Sequence, residues 1–313
     1  MSFMIGNKLV GGDDRHVLII AEASSNHCHE PERAIALVKA AAEAGADAIK
    51  FQTFFCDDIA ARDVQILDHA RHGLPRYFHE IFTKGGLPRD SHRDLKAMAE
   101  DFGLIFLSTP FSVNAARFLV EAVGIPALKI ASGDLTFTPL LEYAASTGLP
   151  VIASTGGATI GEIWNAVTCP LLAAHVHNHL ALLHCVSSYP CAWTDANLLA
   201  IRTLQIMYPS IPLGWSDHTL SSEAVPALAV AMGAQLIEKH MTLDEPGNSM
   251  DAGHSLTPGQ FKHMIETIRA VPQILGDGKK KPRASELHDR LWARRDPSDW
   301  LRPTADARRG LWQ

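Results

Sequence analysis

The sequence predicts a (β/α)8 barrel, and three observations carry that expectation. About eight short apolar runs alternate with about eight helical stretches over roughly 260 residues, the rhythm and size of this fold. Nearly every apolar run ends in a group that binds anions, binds metal or moves protons, as expected where strand ends face one rim. A weak internal echo completes the case. Glu43-Ala-Gly-Ala-Asp-Ala-Ile-Lys50, Val123-Gly-Ile-Pro-Ala-Leu-Lys129 and Met232-Gly-Ala-Gln-Leu-Ile-Glu238 each read as helix, Gly stop, short strand and charged end. The alternative α/β fold, a doubly wound open sheet, calls for a Gly-rich phosphate turn after the first strand, and Ala23-Ser24-Ser25-Asn26 is not one.

Taken in order, Val17 to Ala23 is an apolar run with an acid near its end, a buried parallel-strand signature. Pro31 to Ala44 is a helix with Pro at its start and Gly45 at its stop. Ala48 to Gln52 is the next strand. Thr53 to Pro88 shows no steady periodicity and holds Arg71, His72, Gly73 and Gly85-Gly86, so it reads as a long functional loop, a lid. Then follow a helix at Asp90 to Phe102, a strand at Leu104 to Ser108 and a helix at Val113 to Ala122. Ala127 to Ala131, Val151 to Ser154 and Ala181 to Cys185 are strands. Pro139 to Ser146, Ile160 to Val167 and Asn197 to Met207 are the helices that follow them. Ile211 to Ser216, the helix Ser221 to Met232 ended by Gly233, and Gln235 to Lys239 form a βαβ unit with parallel strands. Pro258 to Val271 is the last helix. On this reading the barrel is residues 1–275. Residues 276–313, basic and Pro-containing, are a C-terminal extension packed outside the barrel or partly mobile.

Composition narrows the function classes. Of 313 residues 47% are hydrophobic and 20% charged, which suits a soluble globular protein able to bury a full core. A net charge of -6 gives no footprint for nucleic acid or an anionic membrane surface. The five cysteines are an odd number without a CxxC pair, which fits reduced thiols and a cytoplasmic location. No cationic start with an apolar h-region and no run of about 18 apolar residues stands out, so neither a signal peptide nor a membrane span is expected.

The strand ends hold the candidate chemistry. In chain order they offer Glu22, Asn26 and His27, then Lys50 and Gln52, then Ser108 and Thr109. Lys129, Ser132 and Asp134 follow, then Ser154, then His184, Ser187 and Tyr189. The last two strands give Ser216, Asp217 and His218, and Glu238 and His240 with Asp251 close behind. A buried lysine without a partner is costly, so Lys50 and Lys129 ask either for a bound anion or for an internal salt bridge with Glu22 or Glu238. Lys129 with Ser132-Gly133, and Ser154-Thr155-Gly156-Gly157 one strand on, make a phosphate cradle of ammonium, hydroxyls and backbone N–H groups. His218 and His240 stand just past two adjacent parallel strands. They are either a divalent-ion pair or two loop histidines, and the polar company of Ser216, Asp217 and Glu238 favours the ion.

Other features read as bland. His175-Val-His-Asn-His179 precedes the sixth strand at the far end of the barrel from the rim. His69 to His79 reads as lid surface, Cys185 as a packed core thiol and Lys279 to Lys281 as a solvated basic turn.

These stretches resemble one family. Ile20-Ala-Glu-Ala-Ser-Ser-Asn-His27, Ala44-Gly-Ala-Asp-Ala-Ile-Lys-Phe-Gln52, Ser108-Thr-Pro-Phe111, Leu128-Lys-Ile-Ala-Ser-Gly-Asp134 and Ser154-Thr-Gly156 carry the likeness. So do Leu183-His-Cys185, Tyr189-Pro190, Gly214-Trp-Ser-Asp-His-Thr219, Ile237-Glu-Lys-His240 and Ser255-Leu256. In this order, from roughly Ile20 to Glu286, the chain resembles the sialic acid synthases, the N-acetylneuraminate synthase family. The resemblance implies condensation of phosphoenolpyruvate with a sugar aldehyde, an aldose or N-acyl amino sugar such as N-acetylmannosamine. The product is a 2-keto-3-deoxy sugar acid of the nonulosonic type, and phosphate leaves by C–O cleavage. Lys50, Thr109, Lys129, Ser132, Ser154 and Ser216 would hold phosphoenolpyruvate, and His218 and His240 a divalent ion, Mn2+ or in its place Mg2+ or Co2+. Glu22 would lie beside ion, water and sugar, and Asp251 near the sugar hydroxyls or the ion. Asn26, Gln52, Asp134, Ser187 and Tyr189 would complete the substrate contacts. A homodimer is also implied.

Three departures from the family pattern stand out. Ala23-Ser24-Ser25 and Cys28-His29-Glu30 replace Gly-containing stretches, and Pro246-Gly-Asn-Ser-Met-Asp251 replaces Pro-Gly-Pro-Asp. Family members continue into a C-terminal antifreeze-like domain whose arginine covers the acyl-amino group of the partner's substrate. Ala293-Arg-Arg295 resembles the start of that connection and the chain stops at Gln313, which leaves an acceptor bound without the usual acyl contact as an alternative to the N-acyl amino sugar. Two rival readings are a metal-dependent barrel hydrolase and a non-catalytic sugar-binding relative. The hydrolase calls for a His-x-His at the first strand end, absent from Glu22 to His27, and leaves Lys50 and Lys129 without a task. The non-catalytic relative predicts a damaged metal pair, whereas His218 and His240 are both present.

Overall fold

The structure, a computed structural model, describes residues 2–12, 16–67, 75–168, 179–244 and 249–309. It divides into two compact units, Met1–Ile274 and Leu275–Gln313. The first opens with an antiparallel hairpin, β1 (Ser2–Ile5) and β2 (Lys8–Gly11). Eight parallel strands follow. They are β3 (Leu18–Glu22), β4 (Ala48–Thr53), β5 (Ile105–Pro110), β6 (Leu128–Ile130), β7 (Val151–Ser154), β8 (Leu180–Cys185), β9 (Leu213–Asp217) and β10 (Leu236–His240). Their order in the sheet is β5-β4-β3-β10-β9-β8-β7-β6, and β5 lies beside β6, so the sheet is a nearly closed (β/α)8 barrel. The predicted fold class is the observed one.

The pleat decides what each strand offers the interior. Leu18 and Ile20 of β3 face inward and Ile19 and Ala21 pack outward under the helices, so Glu22 tops the inward row. Ala48, Lys50 and Gln52 form the inward row of β4, and Ile49 and Phe51 its outward row. The floor of the barrel is apolar, built from Leu18, Ile20, Leu107, Ile152, Leu183 and Leu236. Phe3, Ile5 and Val10 of the hairpin close it from below. Buried Asp47 fastens this end: its carboxylate accepts from Ile19 N at 2.9 Å, pairs with Arg269 at 2.7 Å and lies 3.3 Å from Lys8. Among the described residues, the inward rows carry their polar and charged groups at the carboxyl end.

Gly214 sits at a close approach of the inward surface. A Cβ there would stand 2.4 Å from Leu183 Cδ2 and 2.5 Å from the Leu236 carbonyl oxygen, and the latter, being backbone, has little room to yield. Gly214→Ala is expected to cost about 1–3 kcal/mol, lowering the thermal midpoint by several degrees in a circular dichroism melt.

The helices follow local chemistry. Pro31–Ala44 begins on Pro and ends where Gly45 takes a φ of 89°, the left-handed region that Gly enters without a side-chain penalty. Two expectations are corrected. Val113–Arg117 is α-helical, but the predicted remainder widens into a π-helix at Phe118–Val123, closed by Gly124. The Thr53 to Pro88 loop contains two helices, Cys56–Ile59 and Phe78–Gly85. The lid segment at residues 68–74 and the His175 to Asn178 part of the His-rich stretch lie outside the described residues. Among the described residues no helix is long and apolar enough to cross a membrane.

The second unit is small. It contains helices at Leu287–Ala293 and Ala305–Arg308, and the Asp296 carboxylate accepts from Ser298 N and caps the latter helix at Ala305 N.

Candidate active site

At the carboxyl ends of the strands a cavity of ≈ 180 Å³ is lined by Glu22, Lys50, Gln52, Thr109, Lys129, Ser132, Ser154, Ser187, Tyr189, Ser216, His218 and His240, with Glu238 and Cys185 in the same wall. Of the residues to which the resemblance gives a role, all line it except Asn26, Asp134 and Asp251; the strand-end candidates His27, Ser108, His184 and Asp217 do not line it either. A larger groove of ≈ 770 Å³ lies elsewhere, around Phe55, Arg89 and Arg117, and its charged groups are largely paired with one another.

Four charged groups form the base of the cavity. Lys50 pairs closely with Glu22, lies 3.7 Å from Glu238 and donates to Thr109 Oγ1 at 2.8 Å. Lys129 donates to Ser154 Oγ at 2.7 Å and stands 3.6 Å from Glu238, which accepts from Ser216 Oγ at 3.2 Å. The internal salt bridge is therefore present, and both lysines also line the cavity. Burial pushes Glu22 up to about 7, with Lys50 opposing and Glu238 reinforcing the rise. Burial opposes the charge on Glu238 too, but Lys129 and Lys50 outweigh it and hold its carboxyl below the usual range. Burial likewise opposes the charge on Lys50, yet Glu22 and Glu238 hold it above the ordinary range; Lys129, where burial dominates, is lowered. With Glu238 ionised and Glu22 about half-protonated near pH 7, the two ammonium groups still leave the base with a net positive charge, which suits an anion.

Beside the lysines, backbone and hydroxyls converge. Gly156 N donates to Ser132 Oγ at 3.0 Å, and a Cβ on Gly156 would stand 2.4 Å from Ser187 Oγ. Only glycine lets this turn approach so closely.

Two strand-end residues point the other way. Asp217 and Lys239 form a fully buried pair at 3.0 Å on the outer face of the barrel, and His184 lines an outer groove, where its Nε2 meets the Ala196 carbonyl. Their places are set by the pleat: each is one residue out of phase with the inward rows. Asn26 is buried, and its amide donates to Met241 O at 3.0 Å and Ser255 Oγ at 2.8 Å. It fastens the segment after β10. Asp134 sits in the turn after β6, with burial raising its carboxyl to about 6.

The histidines cluster on one side of the rim. His218 and His240 have ring centroids 5.4 Å apart, and His254 is 4.6 Å from His240. His254 was not among the sequence candidates; its only local signal is the Asp-x-x-His spacing from Asp251. Tyr189 stacks on His218 at 4.1 Å. The His218 Nδ1 lies 2.8 Å from the Val186 carbonyl, which as an acceptor fixes the tautomer with Nε2 unprotonated. His240 Nδ1 is buried without a hydrogen-bond partner. Burial holds His218, His240 and His254 below the ordinary imidazole range, so all three are neutral and can act as ligands. The residues fit a divalent ion.

Burial also pushes His27, behind the rim, down to about 4, helped by His29 and His92. A folded-state value below the unfolded one means that the unfolded chain binds the extra proton between about pH 6.5 and 4. The contribution of His27 is therefore complete above pH 6.5 and is lost as pH falls toward 4, by up to about 3 kcal/mol. His27→Gln is expected to flatten that part of the stability–pH curve, measured by urea unfolding at each pH.

Barrel, buried lysine–glutamate base and imidazole cluster together suit a metal-assisted enzyme acting on an anionic substrate. A model of the NeuB family matches residues 37–280. The N,N'-diacetyllegionaminic acid synthase of Legionella pneumophila is 38% identical over 288 residues, 91% of this chain and 80% of that protein. The pseudaminic acid synthase of Campylobacter jejuni is 35% identical over 283 residues, 90% of this chain and 81% of that protein. The solved N-acetylneuraminic acid (sialic acid) synthetase of Leptospira borgpetersenii, in complex with citrate, superposes with a TM-score of 0.80 at 36% identity, covering 92% of this chain and 95% of that one. The chain belongs to the NeuB family. It is a phosphoenolpyruvate-dependent enzyme that forms a C–C bond, of the sialic acid synthase class.

Proposed function

We propose that this chain condenses phosphoenolpyruvate with the open-chain aldehyde of an N-acyl amino sugar, giving a 2-keto-3-deoxy sugar acid of the sialic type and inorganic phosphate. One observation supports it above the others: Lys50 and Lys129, two buried ammonium groups, line one small cavity beside Thr109, Ser132, Ser154 and the close-packed Gly156 turn.

In this reading Lys129, Ser132, Ser154 and the Gly156 turn hold one anionic end of phosphoenolpyruvate, and Lys50 with Thr109 the other. Gln52, Ser187 and Tyr189 line the way in and meet the sugar. Carbon 3 bonds to the aldehyde carbon, whose oxygen takes up a proton. Water adds to carbon 2, and the bond between carbon 2 and the bridging oxygen breaks as phosphate leaves. Glu22, which exchanges its proton at about pH 7, is placed to give or take the proton these steps exchange. His218 and His240 would hold a divalent ion, Mn2+ as the first choice, and that ion would supply Lewis-acid polarisation of the aldehyde carbonyl.

Calorimetric titration with phosphoenolpyruvate alone tests this assignment. One molecule per chain should bind, competed by inorganic phosphate. The metal-dependent hydrolase reading predicts no such binding, and that result would remove the synthase assignment.

A further inference from the structure

We infer that His254 is a direct ligand of the divalent ion, so that three imidazoles and the Asp251 carboxylate surround it. This inference rests on the metal-dependent reading above and adds a ligand specific to the segment after β10.

The geometry converges on one point. The ligand atoms of His240, Asp251 and His254 all lie within 4.8 Å of one another. Donors bound to an ion at about 2.1 Å stand up to about 4 Å apart, so a small rotation of each side chain closes the set. His254 is 4% exposed, and its Nε2 has no hydrogen-bond partner, nor has His240 Nδ1. Burying an unpaired polar nitrogen is costly, and here two of them are buried side by side. Nε2 of His254 stands 3.5 Å from Asp251 Oδ1 without hydrogen-bonding to it, the relation expected of two donors awaiting a shared ion.

The support behind these groups points the same way. Asp251 Oδ2 accepts from Ser24 Oγ, Ser25 N and Ser25 Oγ, which leaves Oδ1 directed at His254. Ser255 Oγ donates to the Asp251 carbonyl at 2.6 Å and accepts from Asn26 at 2.8 Å, so the turn carrying both donors is fastened to β3 and β10. Ala23-Ser24-Ser25, where the family pattern has glycine, supplies the hydroxyls that orient Asp251. Metal sites hold their carboxylates and imidazoles in this way. A nitrogen-rich set favours Co2+, Zn2+ or Mn2+ over Mg2+, which prefers oxygen and water.

The test needs no turnover. Chain stripped by chelator is titrated with Co2+ without either substrate, by calorimetry and by visible absorption, for wild type, His240→Ala, His218→Ala, His254→Ala and His254→Gln. Circular dichroism checks each fold, and His254→Gln, which keeps most of the volume, guards against collapse of the turn. Both His254 variants should bind Co2+ at least about tenfold more weakly and show altered d–d bands. Wild-type affinity and bands in either folded variant would overturn the inference. If His218→Ala and His240→Ala still lost Co2+, the metal reading of the function would survive it. Absence of Co2+ binding in the wild-type chain would end both.

Discussion

Lys129→Ala should reduce kcat/KM for phosphoenolpyruvate about a thousandfold, measured by coupled phosphate release at saturating acceptor. Lys129 is 3% exposed, donates to Ser154 Oγ at 2.7 Å and lies 3.6 Å from Glu238. Its loss removes one of two ammonium groups facing the substrate anion and leaves Glu238 less neutralised. Losing one preorganised electrostatic contact to the reacting substrate costs about 3–4 kcal/mol of transition-state stabilisation, and each 1.4 kcal/mol is a decade in rate. Ser154→Ala removes only a neutral hydroxyl and should cost about tenfold. Equal, small losses in the two variants would show that the Lys129 charge does not face substrate.

His240→Ala carries the second large effect: turnover falls by at least about a thousandfold while the far-ultraviolet circular dichroism spectrum is retained. His240 ends β10 in register with Glu22 of β3, and its Nδ1 is left unpartnered in a buried setting. The variant deletes a group that the fold does not need for hydrogen bonding. Full activity in a folded variant would sink the metal role of this residue.

Much of this was legible in the sequence because a barrel strand obeys a period of two. Once Leu18 and Ile20 are taken as inward, Glu22 must follow, and the same phase brings Lys50 and Gln52 to the rim. Phase also explains the corrections. Asp217 and His184 are as polar as their neighbours and as near a strand end, but they stand on the odd positions and face the helices. The hairpin at the barrel floor was missed although Gly6-Asn7 is a two-residue turn signal, because strands of four residues barely establish a pattern. His254 was illegible for a deeper reason. Its meeting with His240, 14 residues earlier in the chain, depends on a loop folding back, and no local period records that. Whether Lys50 and Lys129 face an anion or a glutamate also depended on three-dimensional distance, and the interior holds both glutamates within reach of Lys50.

Phosphate release from phosphoenolpyruvate tests the central claim most directly, followed with Mn2+ across N-acyl amino sugars, their phosphorylated forms and plain aldoses, with and without chelator. The account predicts release that requires one acceptor class, stops on chelation, and yields a product whose mass is that of the sugar plus the three-carbon keto acid unit. Release that proceeds without any acceptor, or that persists unchanged in chelator, would contradict it.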